Sequence, residues 1–295
     1  MTVPVPPDLF VGLVTHPGTR YPDASGETGL GPTVVRTLRE RGRGVAWHVS
    51  ADDAWTPALL PIDRDQVRAS VRAELDVEGR WRAYIAGRSL PLADRLLLAV
   101  RRAKRTWDLA PPWRQLQDDD PGFRSVRRLA NIELSHMRLL REAVAAQPTW
   151  ALIIEDDAGA PDPALFAQEL DAFLTDRADD SQPVMVSLSE SFTPAQLGIE
   201  HLLSPIHERV PGVTWSLWES QRPVTNTVCA TLYRGDFLQR LMAELERIPL
   251  SPVVPIDFKV NEALMQVAQQ STPGDCWIAH PAPLTQRSGV PEVRR

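Results

Sequence analysis

Cysteine is nearly absent: Cys229 and Cys276 are the only two in 295 residues. Two cysteines cannot build a disulfide framework, and without a Cys-x-x-Cys pair there is no zinc-ribbon spacing. Lysine is equally scarce, with Lys104 and Lys259 alone among 32 basic residues. No apolar run approaches the ~18–20 residues of a bilayer span. The longest runs, 96–100 and 151–154, are core-sized. Met1 to Pro7 has neither a basic n-region nor an apolar h-region, so no secretory signal is expected there. With so little cysteine, the expected compartment is the cytoplasm. The chain has no GxGxxG and no Walker loop, which removes the two commonest phosphate motifs. It also has no internal repeat and no low-complexity block.

Apolar residues make up 43% of the chain and charged residues 24%, enough to bury a core. The length fits one large domain. A single domain over 1–295 is expected, in halves of about 1–120 and 121–295. The net charge of −6 argues against a general nucleic-acid binder. Basic residues are nevertheless concentrated between Arg95 and Arg141, where eleven Lys/Arg stand against five acids. Such an excess reads as a surface that meets an anion, or as a solvated helix face.

Alternation of apolar runs and breakers gives a coarse map. Residues 9–14 read as a strand, 32–41 as a helix and 45–50 as a strand ending in Asp52-Asp53. This β-loop-α-β opening is typical of nucleotide-binding α/β folds. Residues 63–106 read as helical with a break at Glu78-Gly79-Arg80, and 124–146 as a long amphipathic helix that Pro148 stops. Strands follow at 150–154, 184–188, 213–218, 224–233 and 276–279, with helices at 163–176, 238–247 and 258–269. The expected class is α/β, with a mainly parallel central sheet, helices on both faces and some antiparallel strands late in the chain.

The sharpest local feature is Ile153-Ile154-Glu155-Asp156-Asp157-Ala158. An apolar strand delivers three consecutive acids at its carboxyl end, the edge where open α/β sheets bind ligands. Adjacent carboxylates repel, and a divalent cation removes that penalty. Alternation along an extended chain points Glu155 and Asp157 one way and Asp156 the other. An exposed acidic turn is the other reading.

The stretch from Leu134-Ser135-His136 through Trp150-Ala151-Leu152-Ile153-Ile154-Glu155-Asp156-Asp157 resembles glycosyltransferase family 25, the lipooligosaccharide and collagen galactosyltransferases. That family pairs a Leu-Ser-His helix with a short strand ending in Glu-Asp-Asp. The resemblance covers roughly 124–160 well and the C-terminal part loosely. It implies a type A glycosyltransferase fold (Rossmann-like), a nucleotide-sugar donor with UDP-hexose foremost, Mn²⁺ or Mg²⁺ as cofactor, and inversion at the sugar carbon. It also implies that Ser135 and His136 contact the donor.

Other residues fill roles around that reading. Asp257, before a helical run, is either an N-cap or the base that deprotonates the acceptor hydroxyl. Glu190, after the 184–188 strand, competes for the base. His280 is either a loop residue or a third metal ligand beside Glu155 and Asp157, and imidazole suits Mn²⁺ better than Mg²⁺. In the first loop, Thr15, His16, Gly18 and Arg20 are candidates for nucleotide contact, since Gly18 allows close approach and Arg20 offers a planar guanidinium. Asp52 and Asp53 could meet ribose or base edges, and Asp156 the donor. Gln286 and Arg287 could meet diphosphate or acceptor. Trp215 and Trp218 are core residues or a sugar platform. The acceptor — glycan, protein, lipid or modified nucleic acid — is not encoded in any motif. Two further readings stay open: a metal-dependent phosphoesterase or nucleotidyltransferase, and a nucleotide-sugar-binding domain of this fold without turnover.

Overall fold

A computed structural model describes residues 8–15, 19–50, 64–108, 121–179, 182, 184–206, 209–222, 224–225, 227–248, 256–268 and 275–287. The chain opens with β1 (Leu9–Val14), α1 (Leu30–Glu40) and β2 (Val45–Ser50). Three helices follow, α2 (Arg64–Ala86), α3 (Leu92–Asp108) and α4 (Pro121–Ala146). Next come β3 (Trp150–Glu155), β4 (Ala158–Gly159), α5 (Pro163–Asp176), β5 (Met185–Ser187) and β6 (Ser189–Glu190). The last third carries α6 (Pro194–Leu197), β7 (Leu203–Pro205), β8 (Ser216–Ser220), β9 (Ala230–Arg234), α7 (Gly235–Leu245), α8 (Ile256–Ala268), β10 (Cys276–His280) and β11 (Leu284–Gln286).

Eight strands form one sheet in the order β2-β1-β3-β9-β5-β10-β8-β7. The pairings make β8 and β9 antiparallel to the other six. A mixed α/β sheet with most strands pointing one way is therefore what this sequence builds, and the antiparallel strands come late. A second, three-stranded sheet, β4-β11-β6, lies just past the acidic strand end.

Period-two alternation in β1 and β3 feeds two cores. Leu9, Val11, Trp150, Leu152 and Ile154 face α1 and α5, whereas Phe10, Val14, Ala151 and Ile153 face α4, α7 and α8. Strands buried on both faces read as continuous apolar runs, as 150–154 does. Gly12 falls on the α4 side, where a Cβ would come within 3.0 Å of Ile153 Cδ1 and 3.3 Å of Leu139 Cδ1, so its absence lets α4 approach the sheet.

Two expectations about elements are corrected. The break in the second helical stretch is not at Glu78-Gly79-Arg80. Residues 78–80 lie inside α2, and the turn comes at 87–91, where Gly87 takes a left-handed φ of +65° and Pro91 precedes α3. Gly79 instead permits the close crossing of α3, since its Cβ would lie 3.3 Å from Leu98 Cδ1. Nor do residues 224, 225, 227 and 228 form a strand. Their backbone is bound by α8 side chains: Asn261 Oδ1 accepts from Thr225 N–H at 2.9 Å and Asp257 Oδ1 from Val228 N–H at 2.9 Å. Trp215 is core, its ring 5.4 Å from Phe173, which removes it as a sugar platform.

Candidate active site

The carboxyl ends of β1 and β3 and the amino end of antiparallel β9 meet at one edge of the sheet. Backbone hydrogen bonds fix the turn after β3. Glu155 N–H donates to Cys229 C=O at 2.7 Å, and Asp156 N–H to Val14 C=O at 2.9 Å. Arg287 closes the other side, its N–H donating to Asp157 C=O and its Nη2 to Asp156 C=O, each at 2.8 Å.

Within this frame the three acids diverge as period-two geometry requires. Asp156 accepts from Thr15 Oγ1 at 2.8 Å. Glu155 and Asp157 converge, and one ligand atom from each of Glu155, Asp157 and Cys229 lies within 4.8 Å of the others. Asp157 is only 4% exposed. Its Oδ1 accepts from Cys229 Sγ at 3.4 Å and its Oδ2 from Gln286 Nε2 at 3.2 Å. Gln286 Oε1 in turn accepts from Ser191 Oγ, so a short polar chain orients the carboxylate. His136, buried on α4, places Nε2 2.9 Å from Glu155 Oε1.

Enclosure raises the proton affinity of this group. Loss of solvation pushes Glu155 up, His136 pulls it back, and the charges of Asp257 and Asp157 push it up again. Asp257, in the first turn of α8, is also raised, first by burial. The Val228 N–H and His136 oppose that shift, and the charge of Asp157 adds to it. Burial and the nearby carboxylates push the Cys229 thiol well above its ordinary value, so it remains a protonated donor to Asp157.

These residues fit a hard divalent cation. Two converging carboxylates supply oxygen ligands where their charges are poorly solvated and mutually repelled, and a cation lowers the cost of both.

A pH prediction follows from the sign of these shifts. Carboxyls raised in the folded state bind protons more tightly there than in the unfolded chain. Their stabilising contribution is complete below about pH 4 and is lost as pH rises through the raised folded values. Asp257→Asn keeps the acceptor for Val228 N–H and removes one charge. Its melting temperature in chelator should therefore gain on wild type as pH rises from about 5 to 8, measured by differential scanning fluorimetry. A gap that stays constant with pH would show that Asp257 does not titrate abnormally.

The remaining candidates divide. Ser135 is buried on α4, and Arg20 is exposed. Arg287 stacks on Tyr21, 4.3 Å from the ring centroid, and pairs with Asp23 at 3.7 Å. His280 lies outside the ligand cluster, exposed at the end of β10 and edge-on to Trp218 at 5.7 Å. Glu190 Oε1 is enclosed without a hydrogen-bond partner, and burial raises its carboxyl while His280 nearby lowers it. In the small sheet Glu190 pairs with Thr285, and Ser189 with Leu284. Alternation therefore turns Glu190 to the face of the small sheet opposite Gln286. His16, Gly18, Asp52 and Asp53 lie outside the described residues. Cys229 was not legible as a site residue, because a single cysteine before an apolar strand carries no spacing signal.

Compared with models of known protein families, the chain matches none, and a search of curated proteins returns no match.

Proposed function

We propose that the chain is a metal-dependent glycosyltransferase of the type A fold, moving a hexose from a UDP-sugar to an acceptor hydroxyl with inversion. The reading is carried by one observation: Glu155 and Asp157 converge at the carboxyl end of β3, inside an enclosure that also feels the charge of Asp257. The resemblance of 134–157 to family 25 supports it, as does the mixed sheet with its acidic strand end.

Glu155 and Asp157 would hold Mn²⁺ or Mg²⁺. When bound, such an ion supplies Lewis acidity that offsets charge on a departing diphosphate. His136 holds Glu155 from below, and Gln286 with Cys229 holds Asp157, so the ligand oxygens are fixed before any cation arrives. Asp257 shares the electrostatic enclosure of these acids, whereas the charge that acts on Glu190 is that of His280. Asp257 is accordingly the group assigned to take the acceptor proton. A carboxylate of raised pKa is a stronger base at neutral pH. Arg287 anchors the acidic turn and brings a guanidinium to the Tyr21 side of the site, where a phosphate could be met.

The test is a thermal-shift panel of nucleotide-sugars with and without Mn²⁺, followed by product analysis. A UDP-hexose should raise the melting temperature only when Mn²⁺ is present, by several degrees at saturating donor. Release of nucleoside monophosphate without sugar transfer would replace this reading with a phosphoesterase. Equal shifts with and without the ion would remove the metal from it.

A further inference from the structure

An amphipathic helix in a globular protein ordinarily turns its apolar stripe inward, and α3 does the reverse. Leu92 is 70% exposed, Leu96 58%, Leu97 46% and Val100 65%. These are four of the seven large apolar side chains exposed among the described residues, so the exposure is concentrated on one helix. At 3.6 residues per turn Leu92, Leu96 and Val100 form one line. Leu97 lies beside that line, and the exposed Ala93, Ala99 and Ala103 fill the gaps. The inward side is sparse. Leu98 meets α2 at Gly79, and a cleft of about 640 Å³ opens between the two helices, lined in part by Leu75, Leu90, Arg80 and Arg95. Among the described elements α3 makes no extensive contact except with α2.

Charge on this helix has one dominant sign. From Leu92 to Asp108 there are five basic residues and two acidic ones, in a protein whose net charge is −6. Arg95 and Arg101 border the apolar face on opposite sides, Lys104 stands near its C-terminal end, and Arg88 is exposed in the turn before it. Glu78 engages Arg101 at 3.1 Å. A face of leucine and valine edged by cations is the pattern of a helix that lies in the plane of a membrane interface. Long arginine and lysine stems let the head groups rise to phosphate level while the apolar side chains descend.

We propose that α3 is an interfacial docking helix for an anionic phospholipid bilayer. Leu92, Leu96, Leu97 and Val100 enter the headgroup–acyl boundary, and Arg88, Arg95 and Lys104 meet lipid phosphates. The proposal is independent of the glycosyltransferase reading, because none of these residues belongs to the acidic site. An acidic protein partner would satisfy the cations but leaves a continuous apolar line without a complementary reason, so a bilayer fits both features at once.

The experiment is flotation of the full chain with two kinds of vesicle, phosphatidylcholine alone and phosphatidylcholine containing phosphatidylglycerol. Wild type should float with the anionic vesicles, less with the neutral ones, and less as salt is added. Leu96→Asp with Val100→Asp should lower the partition coefficient at least about tenfold. Both positions are solvent-exposed, so the melting temperature should be unchanged. Arg88→Glu with Lys104→Glu should remove the preference for anionic vesicles and provides a second reading if the first variant misfolds. Failure of wild type to float would overturn the proposal, as would equal flotation of the aspartate variant. A dimer in light scattering that the aspartate variant dissociates, without vesicle binding, would assign the face to a second copy instead.

Discussion

In the proposed glycosyltransferase, Asp157→Asn is expected to lower sugar transfer at least about a thousandfold while the fold survives, because several kcal/mol of electrostatic stabilisation would depend on one ligand charge. Asp157 is the most enclosed of the three acids, and its two oxygens are addressed by different donors, Cys229 Sγ and Gln286 Nε2. An asparagine keeps one oxygen and must turn an amide toward one of those donors. That mismatch costs about 1–2 kcal/mol of stability. It is opposed by relief of the repulsion that Asp157 exerts on Glu155 and Asp257. The two effects are opposite in sign, so the melting temperature should move by only a few degrees. Activity has no such compensation. A cation site with one carboxylate fewer loses both affinity and the preset position of its ion. Two measurements separate the outcomes: steady-state transfer with UDP-hexose, and Mn²⁺ affinity by calorimetry. Unchanged turnover with unchanged Mn²⁺ affinity would remove Asp157 from the metal. Lost turnover with unchanged affinity would make it a positioning group for the donor.

The parts of this site that sequence could reveal are those written in consecutive residues. Three acids after Trp150–Ile154 announce a strand end, and the period of two along an extended chain is enough to separate Asp156 from its neighbours. The helix carrying Ser135 and His136 is equally legible, because 124–146 has one clear apolar period. Long-range meetings are not written that way. Cys229 reaches Asp157 because β9 runs antiparallel beside β3, and nothing local to Val228-Cys229-Ala230 states that direction. His136 reads from sequence as a donor contact, and its 2.9 Å approach to Glu155 is decided only by the packing of α4 on the sheet. The stretch that includes Thr225 and Val228 has β propensity, yet neither residue is in a strand. Asn261 and Asp257 take its N–H groups from 29 to 36 residues away. Propensity describes a local preference, and here tertiary hydrogen bonds outweigh it. The helix break assigned to Gly79 fails for a related reason. That glycine serves the crossing of α3, which depends on a partner helix rather than on its own neighbours.

The largest expected effect on stability comes from a residue outside the acidic cluster. Lys259 is one of two lysines in the chain, and its Nζ donates to Glu133 Oε1 inside the protein, with side chains 4% and 1% exposed. Lys259 is two residues beyond Asp257 on α8, and Glu133 is three residues before His136 on α4. The pair therefore ties together the two helices that bring Asp257 and His136 to the acidic strand end. Lys259→Met preserves the length of the side chain and removes its charge, leaving the Glu133 carboxylate deep in the protein without the lysine's cation. Breaking a buried pair from one side costs about 3–5 kcal/mol, since desolvation persists after the attraction is gone. In a chain of this size that is roughly 10 °C of melting temperature. Removing both charges, with Lys259→Met and Glu133→Leu together, should recover most of the loss, because two apolar side chains tolerate the site better than a buried carboxylate that has lost its lysine. Urea denaturation of the two single variants and the double variant closes a thermodynamic cycle around the pair. A double variant as unstable as the sum of the singles would show that Lys259 and Glu133 act separately, and the clamp between α4 and α8 would then rest on their apolar contacts alone.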